Sequence, residues 1–297
     1  MNYLNLYANF LKRLIGPRKR LTVVFDSSNG TTGPVLKRAF KHHLVKSIYL
    51  NSRPDGNFPA HGPDPTKEEA IAGFQAAVKK NKADIGVAFD ADGDRAVFID
   101  NLGRVVSSDT IIYLLIWHLN PKKAVIDAWG GWLIKKIATP KFKTKIIQSP
   151  IGNYYIKKIM RKRAVDLGGE NSGHYNFKEF FYCDSGIFTA VQVINAISKL
   201  PYQFSDFINF LPSYYRSKLS FPIRGDKDDL IKKIRLFYEK QSPSISRLDG
   251  LTMIFKDWWF NLRPSNTEPI IKLYLESTVK NLLTDKTKEL KNLIVSF

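Results

Sequence analysis

Three aspartates at alternate positions, Asp90, Asp92 and Asp94, stand directly before Arg95 in VAFDADGDRAVFID, residues 87–100. Alternate carboxylates in an extended loop can converge on one hard cation, and Gly93 permits the tight backbone path. Mg²⁺ held by three protein ligands would keep further positions for water or phosphate oxygens. Arg95 supplies a planar fork for those same oxygens. An acidic hairpin without metal is the plain alternative, but three like charges so close repel one another unless a cation offsets them.

Two further stretches offer complementary chemistry. In GGENSGH, 168–174, glycines let the backbone turn sharply, and Glu170, Ser172 and His174 alternate. An extended loop would point those three the same way. A carboxylate beside a hydroxyl suits vicinal sugar hydroxyls, although alone the stretch also reads as a polar loop between two strands. In RPSNTEP, 263–269, Arg263 offers bidentate contacts while Ser265, Asn266 and Thr267 donate around it, an oxyanion or phosphate cradle. A proline-bounded turn is the alternative there. Glu268 cannot bind phosphate directly and is expected to brace the loop. For the aspartate stretch, an EF-hand fails for want of its sixth-position glycine. A haloacid-dehalogenase phosphatase, with Asp90 as nucleophile and Asp92 as its acid–base partner, leaves Asp94, Arg95 and the other two stretches without a role.

The elements that must position these loops alternate strand and helix. LTVVF (21–25) reads as a buried strand, followed by the turn DSSNGTTG and a helix from about Pro34 to His43. SIYL (47–50), DIGVAF (84–89) and AVFID (96–100) are further strands. A capping box at Thr66-Lys67-Glu68-Glu69 starts a helix that buries Ile71, Phe74 and Val78. Asp109 is placed to cap the next helix, burying Ile111, Leu114, Leu115 and His118. The pattern restarts near Asn120-Pro121 with strands AVID, KIIQ and AVDLGG, and a helix from about Gly186 to Leu200 closes this second unit. LPYQFSDFINFLP (200–212) reads as a connector. A helix from Asp228 to Gln241, strands LTMIF, WWFNL and IIKLYLES, and a terminal helix form a third unit. The fold class is therefore α/β: two layered α/β/α domains, 1–120 and 121–205, followed by a small C-terminal α+β domain, 206–297.

Composition bounds the partners. The 297 residues carry 44% hydrophobic residues, enough for several cores. One cysteine, Cys183, excludes an internal disulfide and fits a reducing compartment such as the cytoplasm. TIIYLLIWHL falls well short of the ~18 apolar residues that a membrane span needs, so no membrane partner is expected. MNYLNLYANFLKRL lacks the basic start and long apolar core of a targeting segment. The net charge of +19 raises nucleic acid as a partner. Lysines spread along the whole length rather than clustered argue against it, while a positive field still draws small anions into a cleft.

Taken in order, DADGDR, GENSGH and RPSNTEP resemble the metal, sugar and phosphate loops of the α-D-phosphohexomutases, the phosphomannomutase and phosphoglucomutase family. PDGNFPAHGPDP (54–65) is similar to a stretch ahead of the family's metal loop. The resemblance covers essentially the whole chain and implies the family's second, third and fourth domains, with MNYLNLYANFLKRL matching the linker helix after the first. The family's first domain carries a phosphorylated serine in a Thr-Ala-Ser-His-Asn-Pro type of loop, which nothing in residues 1–297 matches. Ser27 and Ser28 sit where relatives also have a strand-end turn and are not expected to replace it.

The activity implied is a reversible move of phosphate between C1 and C6 of a hexose, through a bisphosphorylated sugar. Asp90, Asp92 and Asp94 would hold Mg²⁺, with Arg95 assisting. Glu170, Ser172 and His174 would bind the sugar, and Arg263, Ser265, Asn266 and Thr267 the non-reacting phosphate. Hexose phosphates and bisphosphates are the expected partners, together with a separate serine-bearing domain. Without that serine the chain should bind but not turn over; the alternative is a noncatalytic sugar-phosphate-binding protein or one subunit of a split mutase. DAWGGW (127–132) departs from the family pattern, since many relatives place a basic residue where its tryptophans stand.

Overall fold

The computed structural model describes residues 2–222, 225–241, 244–265 and 268–296. Among these residues are three five-stranded sheets in chain order. Helix α1 (Tyr3–Leu14) is capped by Asn2, whose side chain accepts from the Asn5 amide. The first sheet is built from β1 (Leu21–Asp26), α2 (Thr32–Ala39), β2 (Val45–Leu50), α3 (Glu68–Lys80), β3 (Ile85–Phe89), β4 (Ala96–Asp100) and β5 (Val105–Val106), with α4 (Ser108–Leu119) following. Its order is β2-β1-β3-β4-β5, parallel among the first three strands and antiparallel after. The uninterrupted apolar run of β3 is buried throughout, as a parallel strand covered on both faces requires.

The second sheet holds β6 (Lys123–Asp127), a π-helical turn Leu133–Ala138 leading into α5 (Thr139–Phe142), β7 (Lys145–Ser149), α6 (Asn153–Arg163), β8 (Leu167–Gly169), β9 (Tyr175–Phe177) and β10 (Cys183–Asp184). Its order is β10-β9-β8-β6-β7. Helices α7 (Gly186–Ser198) and α8 (Phe204–Asn209) follow. The third sheet, β11-β15-β14-β13-β12, is antiparallel throughout. Its parts are β11 (Tyr215–Pro222), α9 (Lys227–Tyr238), β12 (Ser244–Ser246), β13 (Leu251–Ile254), β14 (Trp258–Pro264), β15 (Ile270–Ser277) and α10 (Lys280–Val295).

Several local expectations are corrected. Helix α2 runs from Thr32 to Ala39, shorter at its C-terminal end than the sequence suggested. The Thr66 capping box does not form: Lys67 occupies the cap, and Thr66 Oγ1 donates to Asp64 Oδ1 at 2.7 Å instead. Phe74 and Val78 are buried, but Ala70 rather than Ile71 completes that face. Ser107, not Asp109, caps α4, its Oγ accepting from the Thr110 amide at 3.2 Å. Asp109 is fully buried and turned toward the third sheet. The stretch 200–212 is more than a connector, since α8 buries Phe204 and Phe207. The third sheet gains β11 and β12 beyond the three strands expected.

Helix α7 does not simply close the second unit. It packs on β3 and β4 of the first sheet, on α4 and on α1. Phe188 of α7 meets Phe177 of β9 at 4.8 Å, while Phe98 of β4 meets Tyr175 edge-on at 6.2 Å. One apolar core therefore runs from the first sheet into the second. The third sheet has its own core between the sheet and α9 and α10, built on Phe260, Leu262, Leu273 and Leu275. Strand pleating sends the intervening residues, Trp259, Asn261 and Arg263 on β14 and Lys272, Tyr274 and Glu276 on β15, to the opposite face. That face meets the second sheet.

Candidate functional site

Residues 90–95 leave the buried end of β3 and are held from three sides. The turn after β1 supports them from below: Ser28 Oγ donates to the Phe89 carbonyl at 2.6 Å, and the Thr31 amide to the Ala91 carbonyl at 2.8 Å. Ser28 and Asn29 adopt left-handed backbone to make this turn. Gly30 packs so close that a Cβ there would lie 2.2 Å from the Ala91 carbonyl oxygen. From the second sheet's hairpin, the Gly173 carbonyl accepts from the Ala96 amide at 3.1 Å, and Arg95 and His174 form an antiparallel bridge. From α7, the Gly186 amide donates to the Gly93 carbonyl at 2.9 Å.

This scaffold brings carboxylate oxygens of Asp90, Asp92 and Asp94 within 4.8 Å of one another. Three convergent hard oxygen donors fit Mg²⁺. Asp90 is buried and Asp92 exposed. Arg95 folds back on Asp90, its Nε 2.5 Å from Oδ2 and its backbone amide 3.1 Å from Oδ1. Burial, with the charges of Asp90 and Asp92, pushes the Asp94 carboxyl up to about 6 against the pull of His174. A divalent cation would reverse that penalty.

The stretch 170–174 is a tight turn rather than an extended loop. The Glu170 amide donates to the His174 carbonyl at 2.9 Å, and the Gly173 amide to the Glu170 carbonyl at 3.1 Å. The three alternate side chains differ in exposure: Glu170 is buried, Ser172 is exposed at the tip, and half-buried His174 faces Asp94. His174 Nδ1 lies 2.9 Å from Asp184 Oδ2 and 3.7 Å from Asp94 Oδ2. Burial opposes a charged imidazole, but the Asp184 hydrogen bond and the Asp94 and Glu170 charges win and raise its pKa. Asp184, which also takes Lys157 Nζ at 2.6 Å and the Asn153 side-chain amide, is held at about 2 despite burial.

Arg263 is buried on β14, with Nη1 3.0 Å from Asp249 Oδ2. Its Nε is also buried and has no hydrogen-bond partner among the described residues. Ser265, two residues further on, is buried as well. Asn266 and Thr267 lie outside the described residues. Glu268 engages the loop through its backbone, its carbonyl accepting from the Ile270 amide at 2.8 Å. Between the turn at 171–173 and the third sheet lies a cleft of about 360 Å³, lined by Ser108, Ser172, Arg216, Lys218 and Tyr274.

Asp184, Asp127 and Lys218 carried no motif and escaped sequence reading. Asp127 ends β6, accepts from the Asn171 amide at 2.9 Å and so positions the turn at 170–174. Its position at the C-terminal end of a parallel strand was the one usable signal. The tryptophans of DAWGGW pack into the domain junction: Trp129 stacks on Tyr274 at 5.3 Å and donates from Nε1 to Asn261 Oδ1 at 2.8 Å.

Family models describe the same architecture. Residues 3–103 match alpha/beta/alpha domain II of phosphoglucomutase/phosphomannomutase, and residues 107–214 match its alpha/beta/alpha domain III. The chain belongs to the α-D-phosphohexomutase family. It is 32% identical over 290 residues to the phosphomannomutase of Methanocaldococcus jannaschii, covering 96% of this chain and 63% of that protein. It is 33% identical over 272 residues to the phosphomannomutase of Escherichia coli, covering 86% and 58%. A phosphoglucomutase/phosphomannomutase family protein from Burkholderia thailandensis superposes with a TM-score of 0.88 at 25% identity, over 99% of this chain and 64% of that one. The fold extends to an N-acetylphosphoglucosamine mutase from Aspergillus fumigatus solved with glucose 1,6-bisphosphate, at a TM-score of 0.67 and 14% identity. The chain thus spans less than two-thirds of the length of the curated relatives it matches.

Proposed function

We propose that this phosphohexomutase chain binds hexose phosphates and bisphosphates and supplies the metal, sugar and phosphate loops for phosphoryl transfer between C1 and C6. The observation that carries this is the backbone pairing of the first two loops, Ala96 to Gly173, beside the face of the third sheet that bears Arg263. Asp90, Asp92 and Asp94 would hold Mg²⁺, which when bound neutralises charge on a phosphoryl group. Arg95, which reaches Asp90 through Nε, would offer its remaining guanidinium N–H groups to phosphoryl oxygens. His174, steadied by Asp184, would hold a proton at the sugar hydroxyl, with Glu170 and Ser172 fixing the ring. Arg263, whose Nε lacks a partner among the described residues, together with Ser265, Asn266 and Thr267 would take the far phosphate.

The phosphoserine would come from a separate serine-bearing domain, and residues 1–297 alone would bind without turning over. Isothermal titration of the chain with glucose 1,6-bisphosphate and Mg²⁺ tests the binding half. Saturable binding that Arg263→Met weakens supports it, and no binding rejects it. Robust mutase turnover by the purified chain would reject the need for an added serine. A noncatalytic sugar-phosphate-binding protein is the second reading, favoured if a serine-bearing domain added in trans restores no turnover.

A further inference from the structure

The third sheet gathers three cations on one face. Arg263 of β14 lies directly across from Lys272 of β15, and Lys272 across from Ser220 of β11. Lys218, two residues from Ser220, shares that face by the pleat. Like charges on neighbouring strands are unfavourable in a bare sheet. Neither Lys218 nor Lys272 has a carboxylate within ion-pair distance among the described residues, and Arg263 Nε is buried with no partner there.

The cations are also aimed. Lys218 Nζ lies 4.9 Å from the Trp129 ring centroid, and Arg263 Cζ lies 5.9 Å from the same ring. The indole is pinned by Tyr274 and Asn261, so it is a fixed floor on which both cations rest. Lys218 lines the cleft with Ser172 of the sugar-loop turn. Desolvation in the cleft and the Lys272 charge hold its pKa down, against Asp127 and Glu170, so an anion arriving there meets a cation short of partners.

We infer that Lys218 is a substrate-binding residue whose ammonium takes a phosphoryl oxygen of a hexose bisphosphate, extending the Arg263 clamp toward the sugar-loop turn. Trp129 is the positioning residue beneath it. This assignment rests on the sugar-phosphate reading of the cleft. It makes that part of the cleft selective for a dianionic phosphate ester over a neutral sugar.

Titration of the whole chain with glucose 1,6-bisphosphate in Mg²⁺ tests this, with thermal melting to establish folding. Lys218→Met should weaken binding roughly ten- to a hundredfold, the worth of one hydrogen bond to a charged group. Lys218→Arg should recover most of it, which a purely structural lysine would not require. If Lys218→Met binds like the wild type while Arg263→Met is weakened, the Lys218 assignment falls and the functional reading stands. If neither substitution changes the affinity, both fall. If Lys218→Met is weakened and Lys218→Arg is not restored, the ammonium contact is rejected in favour of packing.

Discussion

Arg216 Nη2 lies 2.5 Å from Asp109 Oδ2, joining the strand that opens the third sheet to the helix that follows the first. Its Nε reaches Glu276 Oε2 at 2.7 Å, and the freed lone pairs of both acids accept from backbone amides of the second unit, Gly131 at 2.9 Å and Trp132 at 2.7 Å. One guanidinium thus ties all three units together. Removing it strands two buried carboxylates. Arg216→Met should cost about 3 kcal/mol or more, the usual penalty for breaking a buried ion pair. Urea unfolding should show it, together with weaker hexose bisphosphate binding because the third sheet is no longer held against the cleft beside the 171–173 turn.

Gly30 is a packing constraint on the loop that carries Asp90, Asp92 and Asp94. The absent Cβ would overlap backbone, which cannot swing aside as a side chain can. Gly30→Ala should therefore lower stability by about 1–3 kcal/mol and weaken Mg²⁺ binding by displacing Ala91 and its neighbours. Thermal melting and metal titration read the two effects separately. Unchanged Mg²⁺ affinity in a destabilised variant would mean that the loop keeps its shape without this support.

Metal affinity should follow the carboxylates in order of commitment. Asp92→Asn should reduce Mg²⁺ affinity by about tenfold or more, since a hard cation loses one of three anionic ligands. Asp90→Asn should reduce it as well and also release Arg95 from its 2.5 Å contact. Calorimetry with Mg²⁺ alone checks both. An Asp92 variant with wild-type affinity would remove that residue from the site.

Asp127 should give the fold a pH dependence of known sign. Burial, with the nearby Glu170 and Asp109 charges and against the Asn171 amide, pushes its carboxyl up to about 7. An unfolded aspartate titrates near 4. Between those values the unfolded chain releases a proton that the folded one keeps, so this group makes stability fall as pH rises and has no further effect above about 7. Asp127→Asn should gain stability relative to the wild type between about pH 4.5 and about pH 7.5. Parallel curves across that range would show that Asp127 is ionised in the fold.

The sequence by itself determined the α/β order of the first two units and the strand that delivers Asp90, and it marked the three stretches on which the proposed chemistry rests. Those signals are short-range: residue types at fixed spacing, glycines where the backbone must turn, and apolar runs that can only be buried strands. It determined neither which way Glu170, Ser172 and His174 point, because a turn and an extended loop share one composition, nor the cap of α4. Asp109 in SSDT looks like a cap, and only Arg216, 107 positions away, reveals its buried partner. The face of β14 that bears Arg263 was equally hidden. Phe260, Asn261, Leu262 and Arg263 alternate apolar and polar, but both faces of the strand are buried, so the pattern does not tell what the side bearing Trp259, Asn261 and Arg263 meets. Tertiary packing alone put Lys218, Arg263 and Trp129 at one wall of the cleft, since charge and ring come from strands and loops that have no relation along the chain.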